Sequence, residues 1–205
     1  GFHRIEIASF NAYCFHFNFG SPTPPQLRCM LRKLDLEMVC LNWCPRRYQA
    51  WQKNEIDRFV SEFTLKLEHL AKVGIPMMTM HFGERNNRPD QEYQLSNTVE
   101  AYNRVGDIAA GLGIRMVLET PHLYSVMPRT DQALSVVNRL TSSNIGVLVD
   151  SSHWGIIGYD LDAYFHALGD RLWHVHLRDS SGADTADRKQ QLEKTPGKGT
   201  VDFRE

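Results

Sequence analysis

The chain has 205 residues, a size that suits one domain with a sizeable core. Hydrophobic residues at 42% and charged residues at 23% match an ordinary water-soluble globular domain. The 23 basic and 24 acidic residues leave a formal charge of −1, which excludes a global field that would gather nucleic acid or an anionic membrane surface.

In chain order, residues 4–8 (R-I-E-I-A) read as a short strand, and Gly1 ahead of them as the stop of a preceding helix. No initiator Met is present, so a native N-terminus is expected to be missing. A loop rich in aromatics and prolines covers 9–25, and a helix covers 26–34 with Leu27, Met30, Leu31 and Leu34 on one face. Residues 37–43 form the next strand. The clearest helix spans 52–73: Ile56, Phe59, Val60, Phe63, Leu67 and Leu70 recur at three- and four-residue steps, and Gly74 stops it. A strand over 76–82 delivers His81 at its end. Asp90 is the expected cap of a helix to about residue 112, with Leu95, Val99, Tyr102, Ala109 and Leu112 inward and Gly113 after it.

The strand 115–120 (R-M-V-L-E-T) ends on Glu119. Thr130 then reads as the N-cap of a helix to 140 that buries Leu134, Val137 and Leu140. The apolar run 145–154 (I-G-V-L-V-D-S-S-H-W) reaches Asp150, with His153 behind it. Asp160 reads as the cap of a helix over 161–172 that buries Leu161, Tyr164, Phe165 and Leu168. The last strand is W-H-V-H-L-R-D at 173–179, where alternation sets His174, His176 and Arg178 on one face. Two histidines and an arginine on one face of a buried strand need partners. Either a metal with anionic ligands supplies them, or the strand end is packed and hydrogen-bonded.

The four cysteines (Cys14, Cys29, Cys40, Cys44) include no C-x2-C pair and read as reduced thiols, mostly in the core. No apolar run approaches the roughly 20 residues needed to span a bilayer. With no signal peptide visible, the expected location is cytoplasmic. Six strands alternating with five helices imply right-handed βαβ units and a parallel sheet. An open doubly wound sheet and a (β/α)8 barrel compete. No G-x-G-x-x-G or G-x-x-x-x-G-K-[ST] follows a strand, which weakens the nucleotide-binding sheet. Polar residues sit instead at the C-terminal ends of several strands, as a barrel mouth requires. The barrel is favoured, as a single domain over 1–205.

L-E-T at 118–120, V-D-S-S-H-W at 149–154, H-V-H-L-R-D-S at 174–180 and P-G-K-G-T-V-D-F at 196–203 together resemble the xylose isomerase-like TIM-barrel superfamily. That group holds sugar isomerases and epimerases, inosose and dehydroshikimate dehydratases, and endonuclease IV. The resemblance implies an incomplete barrel with about six of eight strands, the first β/α unit and the C-terminal part lying outside the chain. It also implies that Glu119, Asp150 and His176 are ligands of one divalent metal ion (Mn, Co, Zn or Mg). The fourth ligand, a glutamate on the last barrel strand, is expected beyond the chain.

Such a site offers proton transfer next to a carbonyl, with the cation polarising the carbonyl and stabilising an enediolate. By the resemblance Glu119 is one of two catalytic bases, or otherwise a structural carboxylate paired with Arg178. His153 is a donor or proton shuttle near the substrate oxygens, or otherwise a helix cap. Arg178, His81 and Arg188 are expected at the substrate; the alternative is a rim ion pair for Arg178, a solvated position for Arg188 and, as in endonuclease-type members, a metal-binding role for His81. His122 carries little weight, and Asp179 reads as a loop cap. The glycine-rich turn at 196–199 offers backbone donors.

The implied activity is a sugar or polyol isomerase or epimerase. A lyase of the inosose or dehydroshikimate dehydratase type on the same site is the runner-up. Residues 120–130 contain no Asp or Glu, a departure from tagatose-type epimerases that counts against a simple ketose epimerase. An apurinic-site endonuclease is disfavoured, because Lys189 stands where that branch has a histidine ligand and the neutral charge supplies no phosphate-binding signature. The expected partner is a small sugar or polyol, with no nucleic acid and no membrane, in a chain that admits a homo-oligomer. Aromatics over 10–19 and at Trp43 suit either a wall against a sugar ring or plain packing.

Overall fold

A computed structural model describes residues 2–10, 14–15, 21–44, 52–80, 91–123, 125–182 and 194–204. Six parallel strands form the frame: β1 (Arg4–Phe10), β3 (Glu37–Cys44), β4 (Met77–Met80), β5 (Arg115–Glu119), β6 (Ile145–Asp150) and β7 (Leu172–His176). A two-residue strand, β2 (Cys14–Phe15), pairs antiparallel with β1, and the sheet order is β2-β1-β3-β4-β5-β6-β7. Parallel neighbours need a crossover, and the helices supply it: α1 (Pro24–Lys33), α2 (Ile56–Val73), α3 (Gln91–Gly111), α4 (Thr130–Val137), α5 (Ser151–Ile157) and α6 (Leu161–Leu168). The sheet curls. β1 and β7 stand at opposite ends of its parallel part, yet Glu6 of β1 reaches His174 and His176 of β7 at 2.7 and 2.8 Å. The architecture is a curled half-barrel with its helices outside.

Strand alternation creates two apolar layers. The larger lies between helices and sheet; every apolar position named for the long α2 pattern is buried there, and Gly74 ends the helix with φ 90°. Each such side chain contributes roughly 1.5–3 kcal/mol of burial free energy. The smaller layer packs Cys40, Met77, Val117 and Leu148 with Trp173 on the concave face. Gly146 makes room for that tryptophan, since a Cβ there would lie 2.1 Å from the Trp173 ring. Gly146→Ala is therefore expected to cost about 1–3 kcal/mol in urea unfolding through overpacking. An unchanged midpoint would mean that Trp173 swings aside freely.

Several local expectations are corrected. α1 buries Leu27 and packs Leu31 against the core, while Met30 and Leu34 are 50% and 64% exposed, so its inward stripe is narrower than the spacing implied. The stretch ahead of α1 is not all loop, because β1 runs to Phe10 and β2 follows. The helix expected from residue 52 begins as a 3-10 turn over Lys53–Glu55. Thr130 is the first residue of α4 rather than its cap. Asp160 does cap α6, accepting from the Ala163 N–H at 2.8 Å. The strand read over 173–179 ends at His176. Asp90, the cap expected for α3, lies outside the described residues. No helix among the described residues is long and apolar enough to cross a membrane.

Candidate metal centre

Glu119 ends β5 and Asp150 ends β6, each following an apolar run that the sheet buries; they are 3% and 1% exposed. His176 ends β7 opposite Asp150 in register. One ligand atom from each of the three falls within 4.8 Å of the others. The arrangement is built locally. Asp150 Oδ1 accepts from the Ser152 N–H at 2.9 Å and its hydroxyl at 2.6 Å, which starts the short helix α5 and locks the carboxylate. Ser151 Oγ donates to the Arg178 carbonyl at 2.5 Å and accepts from the Arg178 N–H at 2.9 Å, tying down the chain beyond β7. The Tyr164 hydroxyl donates to the Thr120 carbonyl at 2.9 Å and holds the end of β5.

α5 was absent from the sequence reading, and it carries His153. The fully buried His153 ring accepts the Leu123 N–H at Nδ1, 3.3 Å away, and turns Nε2 to Glu119 Oε1 at 3.5 Å. A ring that accepts at Nδ1 and is neutral carries its proton on Nε2, on the Glu119 side. His122, given little weight in the sequence, packs tilted at 45° against His153 with centroids 4.0 Å apart; Glu119, His122 and His153 form a second group with metal-ligand chemistry.

Arg178 meets Asp150 rather than open solvent, with its guanidinium 2.6 and 2.8 Å from Oδ2. His176 Nδ1 lies 3.6 Å from the same oxygen. The residue that sequence reasoning missed is Glu6. Its Oε2 meets His174 Nε2 at 2.7 Å and its Oε1 meets His176 Nε2 at 2.8 Å. The only signal was a charged residue inside a short apolar strand, R-I-E-I-A. His81 and Arg188 lie outside the described residues.

The electrostatics follow from this packing. Burial alone would raise the Glu6 carboxyl, but hydrogen bonds from His174 and His176 outweigh it and hold the group well below the usual carboxylate range. Burial likewise opposes ionisation of Asp150, and the facing His176 and Arg178 reverse the balance and keep it a carboxylate. Burial would lower His176, yet Asp150 and Glu6 together push it up to about 10. Burial, reinforced by the charge of Glu6, pushes the Cys40 thiol up, so it is a protonated donor beside Glu6.

A divalent cation fits these residues. Two carboxylates and an imidazole are an oxygen-and-nitrogen donor set suited to Zn, Mn or Co. Positive groups, Arg178 and protonated His176, already stand against Asp150 where such an ion's charge would fall. Asp179, by contrast, spends its carboxylate within its own loop. It is fully buried and accepts the Ser180 and Val201 N–H groups at Oδ1 and those of Gly197 and Gly199 at Oδ2. Two of the donors expected of the glycine-rich turn are thus consumed within the loop.

A curled parallel sheet whose strand ends converge on carboxylates and an imidazole defines a TIM-barrel protein with a candidate metal centre at the barrel mouth. The chain belongs to the xylose isomerase-like TIM barrel family, whose model matches residues 1–205. Among curated proteins it is similar to an inosose isomerase of Bacillus subtilis (strain 168), 23% identical over 151 residues, covering 73% of this chain and 53% of that protein. It is also similar to a ketose 3-epimerase of Arthrobacter globiformis, 32% identical over 88 residues, 42% of this chain and 30% of that protein. The chain spans about half the length of the first of these and less of the second. The fold matches a crystal structure of IOLI protein with a bound zinc atom (TM-score 0.79, 20% identity, 100% of this chain and 73% of that one). It also matches D-allulose 3-epimerase from Methylomonas sp. (TM-score 0.71, 20% identity, 93% and 68%).

Proposed function

We propose that the whole protein is a divalent-metal-dependent sugar or polyol isomerase or epimerase that works by proton abstraction next to a carbonyl. The convergence of Glu119, Asp150 and His176 within 4.8 Å at three strand ends carries this reading. Relatives named inosose isomerase and ketose 3-epimerase support it. In this reading Glu119, Asp150 and His176 hold one Mn, Co, Zn or Mg ion, which when bound supplies Lewis acidity toward a substrate carbonyl.

The chain's own residues do the rest. Glu119, buried at the end of β5, takes the proton from the carbon beside the carbonyl. His153, with its tautomer set by the Leu123 N–H, presents Nε2–H to the Glu119 carboxylate and orients it for that step. Arg178, anchored on Asp150, opposes the negative charge that develops on the substrate oxygens. His81 and Arg188 complete the substrate contacts in this proposal.

The test is metal content by elemental analysis of the whole protein, joined to a deuterium-exchange screen of ketoses and inososes in heavy water. A single equivalent of divalent metal with α-deuterium incorporation is the expected result. Loss of water from the substrate would instead identify a lyase, several zinc equivalents with nicking of apurinic DNA a nuclease, and absence of metal would sink the catalytic reading.

A further inference from the structure

Glu6 comes from the far edge of the parallel sheet, yet it touches the metal centre through His176. Its carboxylate is held at two points and bordered at a third. Oε1 faces His176 Nε2 at 2.8 Å, Oε2 faces His174 Nε2 at 2.7 Å, and the Cys40 Sγ lies within 4.8 Å of the Glu6 and His174 ligand atoms. Cys40 stands opposite Glu6 in register and is fully buried, while Glu6, His174 and His176 are about a fifth exposed, at 21%, 23% and 18%. The carboxylate is therefore pinned in the concave face rather than swinging in solvent.

An imidazole can give only one nitrogen to a metal, and the other must find an acceptor. When it does, the ring's rotation about its bonds is fixed and its ligating nitrogen is aimed. In this structure Nε2 is the nitrogen turned to Glu6, and Nδ1 is the one turned to Asp150, 3.6 Å from Oδ2. Without Glu6 the ring would have no fixed reason to present Nδ1 to the strand ends.

We propose that Glu6 is the positioning residue of the metal centre, accepting the Nε2–H of His176 so that Nδ1 points at the space between Glu119 and Asp150. His174 is its counterweight on the other carboxylate oxygen. The proposal rests on the reading of Glu119, Asp150 and His176 as metal ligands. A carboxylate at this position also raises the basicity of the ligating nitrogen, so it acts on affinity as well as on orientation.

The test uses Co(II) as the probe on the whole protein, with affinity from chelator competition and geometry from the visible d–d spectrum. Glu6→Ala is expected to bind Co(II) about 10–100-fold more weakly than wild type, with an altered d–d spectrum. Glu6→Gln keeps a carbonyl acceptor of the same reach and is expected to recover most of that affinity. Circular dichroism and unfolding of the metal-free forms separate this effect from loss of fold, which would not respond to the amide. If Glu6→Ala does not fold, Glu6→Asp replaces it; the shorter side chain is expected to bind Co(II) more weakly than the amide. Wild-type affinity and spectrum in a folded Glu6→Ala protein, or in Glu6→Asp where that stands in, would overturn the positioning role while leaving the metal reading intact. Absence of Co(II) binding in wild type would overturn the metal reading itself. A near-ultraviolet thiolate-to-cobalt band lost in Cys40→Ser would also overturn the proposal, because Glu6, Cys40 and His174 would then be ligands.

Discussion

Glu119→Gln in the whole protein is expected to lower kcat by about 10³-fold, within the range that positioned acid–base groups supply. The substitution is nearly isosteric and sits at the end of a strand buried between two others, so the fold should survive it. What it removes is the charge that His153 Nε2 faces at 3.5 Å and an oxygen of the three-residue metal group. Exchange of the substrate's α-proton with deuterated water, measured at saturating metal, separates the two losses. If metal saturates the variant and exchange is still slow, Glu119 is the base. If exchange returns to the wild-type rate once the metal is restored, Glu119 is only a ligand and the base assignment fails.

The second large effect is a pH dependence. His176 has an ordinary value of 6.5 and is pushed up to about 10 in the metal-free fold, while Glu6 and Asp150 are held low and stay ionised. Below the ordinary value both folded and unfolded chains carry the His176 proton, and its stabilising contribution is fully present. That contribution is lost as pH rises through the folded value, so the metal-free protein should weaken between pH 7 and 10. Metal binding runs the other way. A ligand nitrogen must shed its proton, so each metal bound near neutrality should release one proton from His176. The apparent affinity should then rise about tenfold per pH unit between pH 7 and 9. Calorimetric titration in buffers of different ionisation enthalpy counts that proton directly. A flat profile with no proton released would mean that His176 is not a ligand.

These expectations draw on information that entered at different levels. The periodicity of Ile56, Phe59, Val60, Phe63, Leu67 and Leu70 was enough to write α2 and its stop at Gly74, because an amphipathic helix shows its buried face in its own spacing. Apolar runs ending in Glu119 and Asp150 were equally plain, since a strand buried on both faces reads as a hydrophobic block, while His176 showed itself by alternation with His174. α5 was not legible. Its seven residues are too few to show a helical period, and its start is marked by the Asp150 side chain accepting the Ser152 N–H. Arg178 was read on the histidine strand, which ends at His176; beyond it the Arg178 backbone is clamped by Ser151 of α5 and its guanidinium meets Asp150.

The sequence by itself thus determined the alternation of strands and helices, the family, and three polar side chains at strand ends. Those are local properties, written within a dozen or so residues. Only the tertiary structure decided that Glu6 meets His176 across a separation of 170 residues. Alternation tells which face a side chain takes, not which distant strand that face will meet. The curl of the sheet makes that choice, and through it one carboxylate of an unremarked strand comes to hold the imidazole of the last.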